Sequence, residues 1–173
     1  MTKWLNVDQQ HHWRAYIAAT TLLHEQLSRE LQDKHGISIG DYEILVHLSE
    51  APHRTLRMSQ LADSTLASRS RLSHQIDRLE RAGFVRRQAC EEDRRGQNAF
   101  LTEEGHALLV AAAPTHVTGV RNHLIDLLTD DEFSALGRAC AIVAQHLDQS
   151  PHATSVSSAN GDAGRTADSA SAT

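Results

Sequence analysis

The chain has 173 residues, 40% hydrophobic and 23% charged, the balance of one globular domain with or without an appendage. No apolar run of about 18 residues occurs, and the opening MTKWLNVDQQHHW lacks the apolar core of an export signal, so a cytoplasmic protein with no membrane partner is expected. A net charge of −5 argues, taken as a whole, against nucleic acid.

The charge is unevenly placed. Residues 54–95 hold ten arginines against six acids, a surplus of four, and the remainder of the chain carries −9. Lysine is nearly absent, with only Lys3 and Lys34, so the clustering carries the weight and the residue type does not. Arginine's planar fork suits bidentate contact with phosphate and guanine edges.

In chain order, Trp13, Ile17, Leu23, Leu27 and Leu31 recur at helical spacing and predict one long amphipathic helix from about Val7 to Lys34, ended by His35-Gly36. Ser38 with Asp41 reads as a capping box for a second helix holding Ile44, Leu45 and Leu48, which Ala51-Pro52 stops. Ser59 is the expected cap of a short third helix through Leu61 and Ala62. The fourth is the best defined: Ser68 as N-cap, a stripe of Leu72, Ile76 and Leu79, and Gly83 as the stop. Its opposite face presents Arg69, Ser70, Arg71, Ser73, His74, Gln75 and Arg78, groups able to hydrogen-bond base edges and phosphates or simply to meet solvent.

Beyond Gly83 the period shortens. Residues 84–89 and 98–101 read as two strands of a hairpin whose charged loop carries Asp93, Arg94 and Arg95, with Gly96 permitting the turn. Thr102 with Glu103 and Glu104 opens a fifth helix that continues to about Leu128, with Pro114 as a kink point. Thr129 with Glu132 caps a sixth, whose seam of Phe133, Leu136, Cys140, Val143 and Leu147 is of the kind helices use to pack on one another. Residues 149–173 are mainly serine, alanine, glycine and threonine and are expected to be disordered.

This order is that of a winged helix-turn-helix between terminal helices, a mainly α fold with a small β-hairpin wing. Leu61-Ala62, Ser68-Arg69-Ser70-Arg71-Leu72, the run from Ile76 to Val85, Asp93-Arg94-Arg95-Gly96 and Leu101-Thr102-Glu103-Glu104-Gly105 together resemble the MarR (multiple antibiotic resistance regulator) family, with the likeness in architecture spanning about residues 7–148. The resemblance implies an N-terminal dimerisation helix over 1–35, a DNA-binding domain over 36–101, C-terminal dimerisation helices over 102–148 and a tail over 149–173. It further implies a homodimer that sets its fourth helices in the major grooves of a palindromic operator, with Ser68, Arg69, Ser70, Arg71 and His74 facing the duplex. Arg94 would enter the minor groove, Asp93 would hold the wing arginines, and Arg95 would either pair with Asp93 or contact phosphate. Arg54, Arg57, Arg78 and Arg86 are phosphate candidates.

Relatives of this kind release DNA when a small, often aromatic or anionic, effector enters a cleft beside the dimer helices. Trp13, Arg14, Tyr16, Tyr42 and His47 are the candidate lining, although Trp13 and Tyr16 equally suit a dimer core. Cys140 reads as a core residue, and Cys90 has acidic neighbours, Glu91 and Glu92, that disfavour a reactive thiolate. The twelve histidines include no i, i+3 or i, i+4 pair, so no metal set is assigned and no cofactor is expected. The function expected is a sequence-specific double-stranded DNA-binding regulator, a repressor released by an effector. Its alternatives are a zinc-responsive regulator of the same fold and a winged-helix protein-interaction module without DNA binding. No glycine-rich phosphate loop, His-Glu-x-x-His motif or nucleophile elbow is present, so no enzyme is expected.

Overall fold

The computed structural model describes residues 1–65, 67–89 and 96–148. Expectations that fall on the loop residues Asp93, Arg94 and Arg95, on Cys90 and on the tail 149–173 lie outside the described residues. The elements are helices α1 (Val7–His35) and α2 (Ile39–Glu50), a 3-10 turn (Pro52–Arg54), strand β1 (Thr55–Arg57), helices α3 (Met58–Ser64) and α4 (Arg69–Arg81), strands β2 (Val85–Ala89) and β3 (Gln97–Leu101), helix α5 (Glu103–His123), a second 3-10 turn (Ile125–Leu127), and helix α6 (Asp130–Asp148). They form two units, one ending at Leu127 and one beginning at Leu128.

The helix ends follow the local chemistry. Asn6 caps α1 reciprocally with Gln9, at 2.8 and 3.0 Å, and Gly36 closes the helix in the left-handed region at φ 71°. The Ser38 and Asp41 backbone amides are each capped by the other's side chain at the start of α2. Ser68, Thr102 and Thr129 cap α4, α5 and α6. Two local expectations need correction. Ser59 lies inside α3, and the N-cap is Arg57, whose backbone N–H donates to Gln60 Oε1 at 3.2 Å. The fifth helix stops at His123 and not near Leu128, because Leu124 leaves the helical region (φ −141°) and a 3-10 turn follows; Pro114 lies within α5.

The sheet has three strands, not two. β3 is central, with β1 and β2 antiparallel on either side in the order β1-β3-β2. To enter β1 the chain passes through His53 and Arg54, both at φ 54°, a left-handed conformation costly for side-chain-bearing residues.

The core of the first unit gathers Leu27 and Leu31 of α1, Ile44, Leu45 and Leu48 of α2, Leu61 of α3, Leu72, Ile76 and Leu79 of α4, and Val85 and Ala99 of the sheet. Only the C-terminal part of α1 is buried, and Trp13, Tyr16 and Ile17 are exposed. On α6 the expected seam is uncovered: Phe133, Val143 and Leu147 are exposed and so is Cys140, which corrects its reading as a core residue.

Asp41 ties this core to α4. It is 2% exposed; one carboxylate oxygen takes the Ser38 amide and hydroxyl, and the other takes Arg78 Nη2 at 2.5 Å. Asp41→Ala removes a helix cap and leaves donors unmatched in a closed space. It is expected to cost about 2–3 kcal/mol in urea unfolding, below the full price of a broken buried pair because Arg78 is half exposed. A loss under about 0.5 kcal/mol would show that the two helices do not depend on it.

Candidate nucleic-acid interface

Helix α4 divides along its length. Leu72, Ile76 and Leu79 are buried, and Arg69, Ser70, Arg71, Ser73 and His74 stand exposed on the other side. Ser68, exposed at the N-cap, accepts the Arg71 backbone N–H at 3.3 Å, so the residues expected to face a duplex lie in the first turns of a well-anchored helix. Gln75 departs from expectation. It is buried with the apolar stripe and does not belong to the exposed face.

The central arginines have different employments. Arg87 is taken up in an ion-pair cluster and keeps only 27% of its side chain exposed. Its backbone N–H and its Nε donate to the two oxygens of Glu80 at 2.8 and 2.9 Å, and its Nη2 reaches both Glu80 and Asp77. This clamp fastens β2 to the outer end of α4 and neutralises two acids of that helix. Arg86, next in the strand and alternating to the other face, is exposed with its guanidinium 5.0 Å from the centre of the Phe100 ring. Arg54 pairs with Glu103 at 2.9 Å, while Arg78, although bound to Asp41, keeps over half of its side chain in solvent. Arg57 is exposed and shares a groove of about 350 Å³ with Ser59, Arg69, Ser73 and Gln97, between the start of α3, α4 and the base of the hairpin. Sequence reasoning missed Ser59 and Gln97 here, since only the three-stranded sheet brings the hairpin base to α3.

The candidate effector residues fall into two places. Trp13 and Tyr16 stack with ring centres 5.9 Å apart on exposed α1, beside the exposed Arg14. Tyr42 is buried in the packing of α2 on α5, where its ring lies 4.6 Å from that of His116, and His47 is half-buried on α2. Burial pushes the Tyr42 phenol up and the His116 imidazole down from their ordinary values. Among the described residues no hydrogen bond or ring contact joins the two groups, and no cluster of three or more His, Cys, Asp or Glu is placed to hold a metal ion.

Comparison with known proteins agrees with this arrangement. The MarR family model matches residues 35–96. The chain is 30% identical over 133 residues to the HTH-type transcriptional regulator PecS of Dickeya dadantii, covering 76% of this chain and 79% of that one. Among solved structures it resembles AbsC, a MarR family transcriptional regulator from Streptomyces coelicolor, at 46% identity and TM-score 0.80 over 86% of this chain and all of that one. A second MarR family regulator from Streptomyces coelicolor, solved in complex with DNA, matches at 45% identity and TM-score 0.84 over 87% of this chain and 94% of its own.

The hydrogen bonds from Arg87 hold the Glu80 carboxyl below its ordinary value of 4.5. The folded chain therefore binds that proton more weakly than the unfolded chain does. The contribution of the clamp is complete above pH 4.5 and is lost as pH falls through the lowered value. Arg87→Ala is expected to move the Glu80 midpoint up toward 4.5 in a carboxyl-detected NMR titration; an unmoved midpoint would mean that Arg87 does not set it.

Proposed function

The chain belongs to the MarR family, and on that premise we propose that it is a sequence-specific double-stranded DNA-binding transcriptional regulator, a repressor released by a small effector and active as a homodimer in the cytoplasm. The observation that carries this is the divided surface of α4. Its exposed side offers Arg69, Ser70, Arg71, Ser73 and His74, while its acids Asp77 and Glu80 are taken up by Arg87. A helix so arranged presents hydrogen-bonding groups and positive charge to a major groove with little opposing negative charge. The relative solved with DNA supports the same reading. On this reading of the chain, Arg94 serves the minor groove, and Arg57 and Arg86 serve phosphates.

The dimer is supported by the apolar side chains that one chain leaves in water. Trp13, Tyr16, Ile17 and Leu22 lie on α1, and Phe133, Ile142, Val143 and Leu147 on α6. Apolar helical faces of this extent are what a second copy would cover. Residues 1–35 and 102–148 then assemble the dimer, and residues 36–101 read the operator. No helix of the described residues is long and apolar enough to cross a membrane.

Duplexes selected from a random pool should bind with a log-log salt slope of roughly −0.9 for each phosphate neutralised. Arg71→Ala and Arg94→Ala are each expected to weaken the selected duplex by about 5- to 150-fold with the dimer intact. Salt-insensitive binding would remove DNA from the function, and unchanged affinity in either variant would remove that arginine. Ile142→Asp is expected to convert the sedimenting dimer to monomer, and a dimer of undiminished strength would place the interface elsewhere.

A further inference from the structure

The cluster of Arg87, Glu80 and Asp77 is built more for position than for stability. Its side chains keep 27%, 34% and 43% of their surface in solvent, where ion pairs add little to folding. A guanidinium fork on a carboxylate, by contrast, fixes geometry well. Arg87 turns its Nε and Nη2 on Glu80 Oε2, sends Nη2 also to Asp77 Oδ1 at 2.7 Å, and adds its backbone N–H to Glu80 Oε1 at 2.8 Å. The outer strand β2 is thus held to α4 by its main chain as well as by a side chain.

The clamp sits where the other attachments of the hairpin run out. At its base Val85 and Leu101 are buried, the Phe84 N–H donates to the Leu79 carbonyl at 2.9 Å, and the Thr102 hydroxyl lies 2.8 and 3.0 Å from the carbonyls of Gly83 and Phe84. Beyond the clamp Gln88 and Ala89 are exposed, and among the described residues Arg87 is the outermost residue of β2 hydrogen-bonded to α4. Toward the first turns of α4, Arg69 and Ser73 share with Gln97 of β3 the groove of about 350 Å³ described above. A groove and not a packed seam lies there, so the distance between hairpin and helix has to be set at the clamp.

Charge does not account for Glu80. A carboxylate on a helix that approaches a polyanion opposes binding, and a neutral residue in its place would oppose it less. We propose that Arg87 and Glu80 are positioning residues for DNA binding: their clamp sets the spacing between the hairpin and the first turns of α4, so that wing and helix engage one duplex together. This rests on the DNA-binding reading given above.

The test measures affinity for the selected duplex on the full-length chain and its variants, with sedimentation and urea unfolding as controls of dimer and fold. Glu80→Ala removes the clamp and a negative charge together. It is expected to weaken binding at least about fivefold, where a purely electrostatic role predicts equal or tighter binding. Arg87→Met combined with Glu80→Gln breaks the clamp with no change in net charge; it should weaken binding to the same degree, and it decides the matter if Glu80→Ala does not fold. In either background Arg94→Ala should cost less than about twofold more, while Arg71→Ala keeps its full cost because the first turns of α4 lie outside the clamp. Unchanged or tighter binding in the clamp variants, an undiminished cost of Arg94→Ala in them, or equal blunting of Arg94→Ala and Arg71→Ala, as general loosening of the fold would give, overturns the positioning role and leaves the DNA reading in place. A native chain that selects no duplex overturns both.

Discussion

Asp41 holds the reading head together. A buried carboxylate needs every lone pair matched, and this one finds its partners on two elements: the Ser38 amide and hydroxyl at the start of its own helix, and the Arg78 guanidinium on α4. The same group that starts α2 therefore fixes where α4 lies against it. The apolar contacts of Leu45, Leu48, Leu72 and Ile76 supply the driving force for packing but little directional preference, because hydrophobic burial is non-directional. The ion pair supplies the direction.

A second constraint acts on the same turn of α4, where Arg87 binds Glu80 and Asp77. These two fastenings, one to the helical core and one to the sheet, grip the C-terminal half of α4 and leave its first turns, with Arg69 and Arg71, outside them. They also sort the charges. An acidic chain with ten arginines in 42 residues succeeds as a DNA reader only if some of those arginines quench local acids and others remain free. Arg87 and Arg54 do the first, and Arg69 and Arg71 the second. A net charge of −5 is thus a poor guide to the field at any one face.

How far the sequence disclosed this depended on distance along the chain. Caps at Ser38, Ser68, Thr102 and Thr129 were legible because each pairs with a residue three positions on. Strand β1 was not, since Thr55, Leu56 and Arg57 are too few to show alternation and their partners in β3 lie more than 40 residues away. Gln75 was misread because its polarity outweighed its position, which falls on the same stripe as Leu72, Ile76 and Leu79. The different uses of Arg86 and Arg87 were present in strand parity, but only the placement of Glu80 made that parity informative. Apolar spacing marked the faces of α1 and α6 without saying whether the same chain covers them, and within this chain Trp13 and Leu147 stay exposed.

The order of the sheet has a consequence for solubility. With β3 in the middle, both outer strands present an open edge, and open edges invite pairing with another chain. Here one edge, β1, is only three residues long, and the other, β2, has its Arg87 N–H taken by Glu80 and carries the exposed, charged Arg86. A second strand approaching β2 would have to align against that charge, so the side chains that serve the DNA-binding domain also discourage it from nucleating aggregates through its wing.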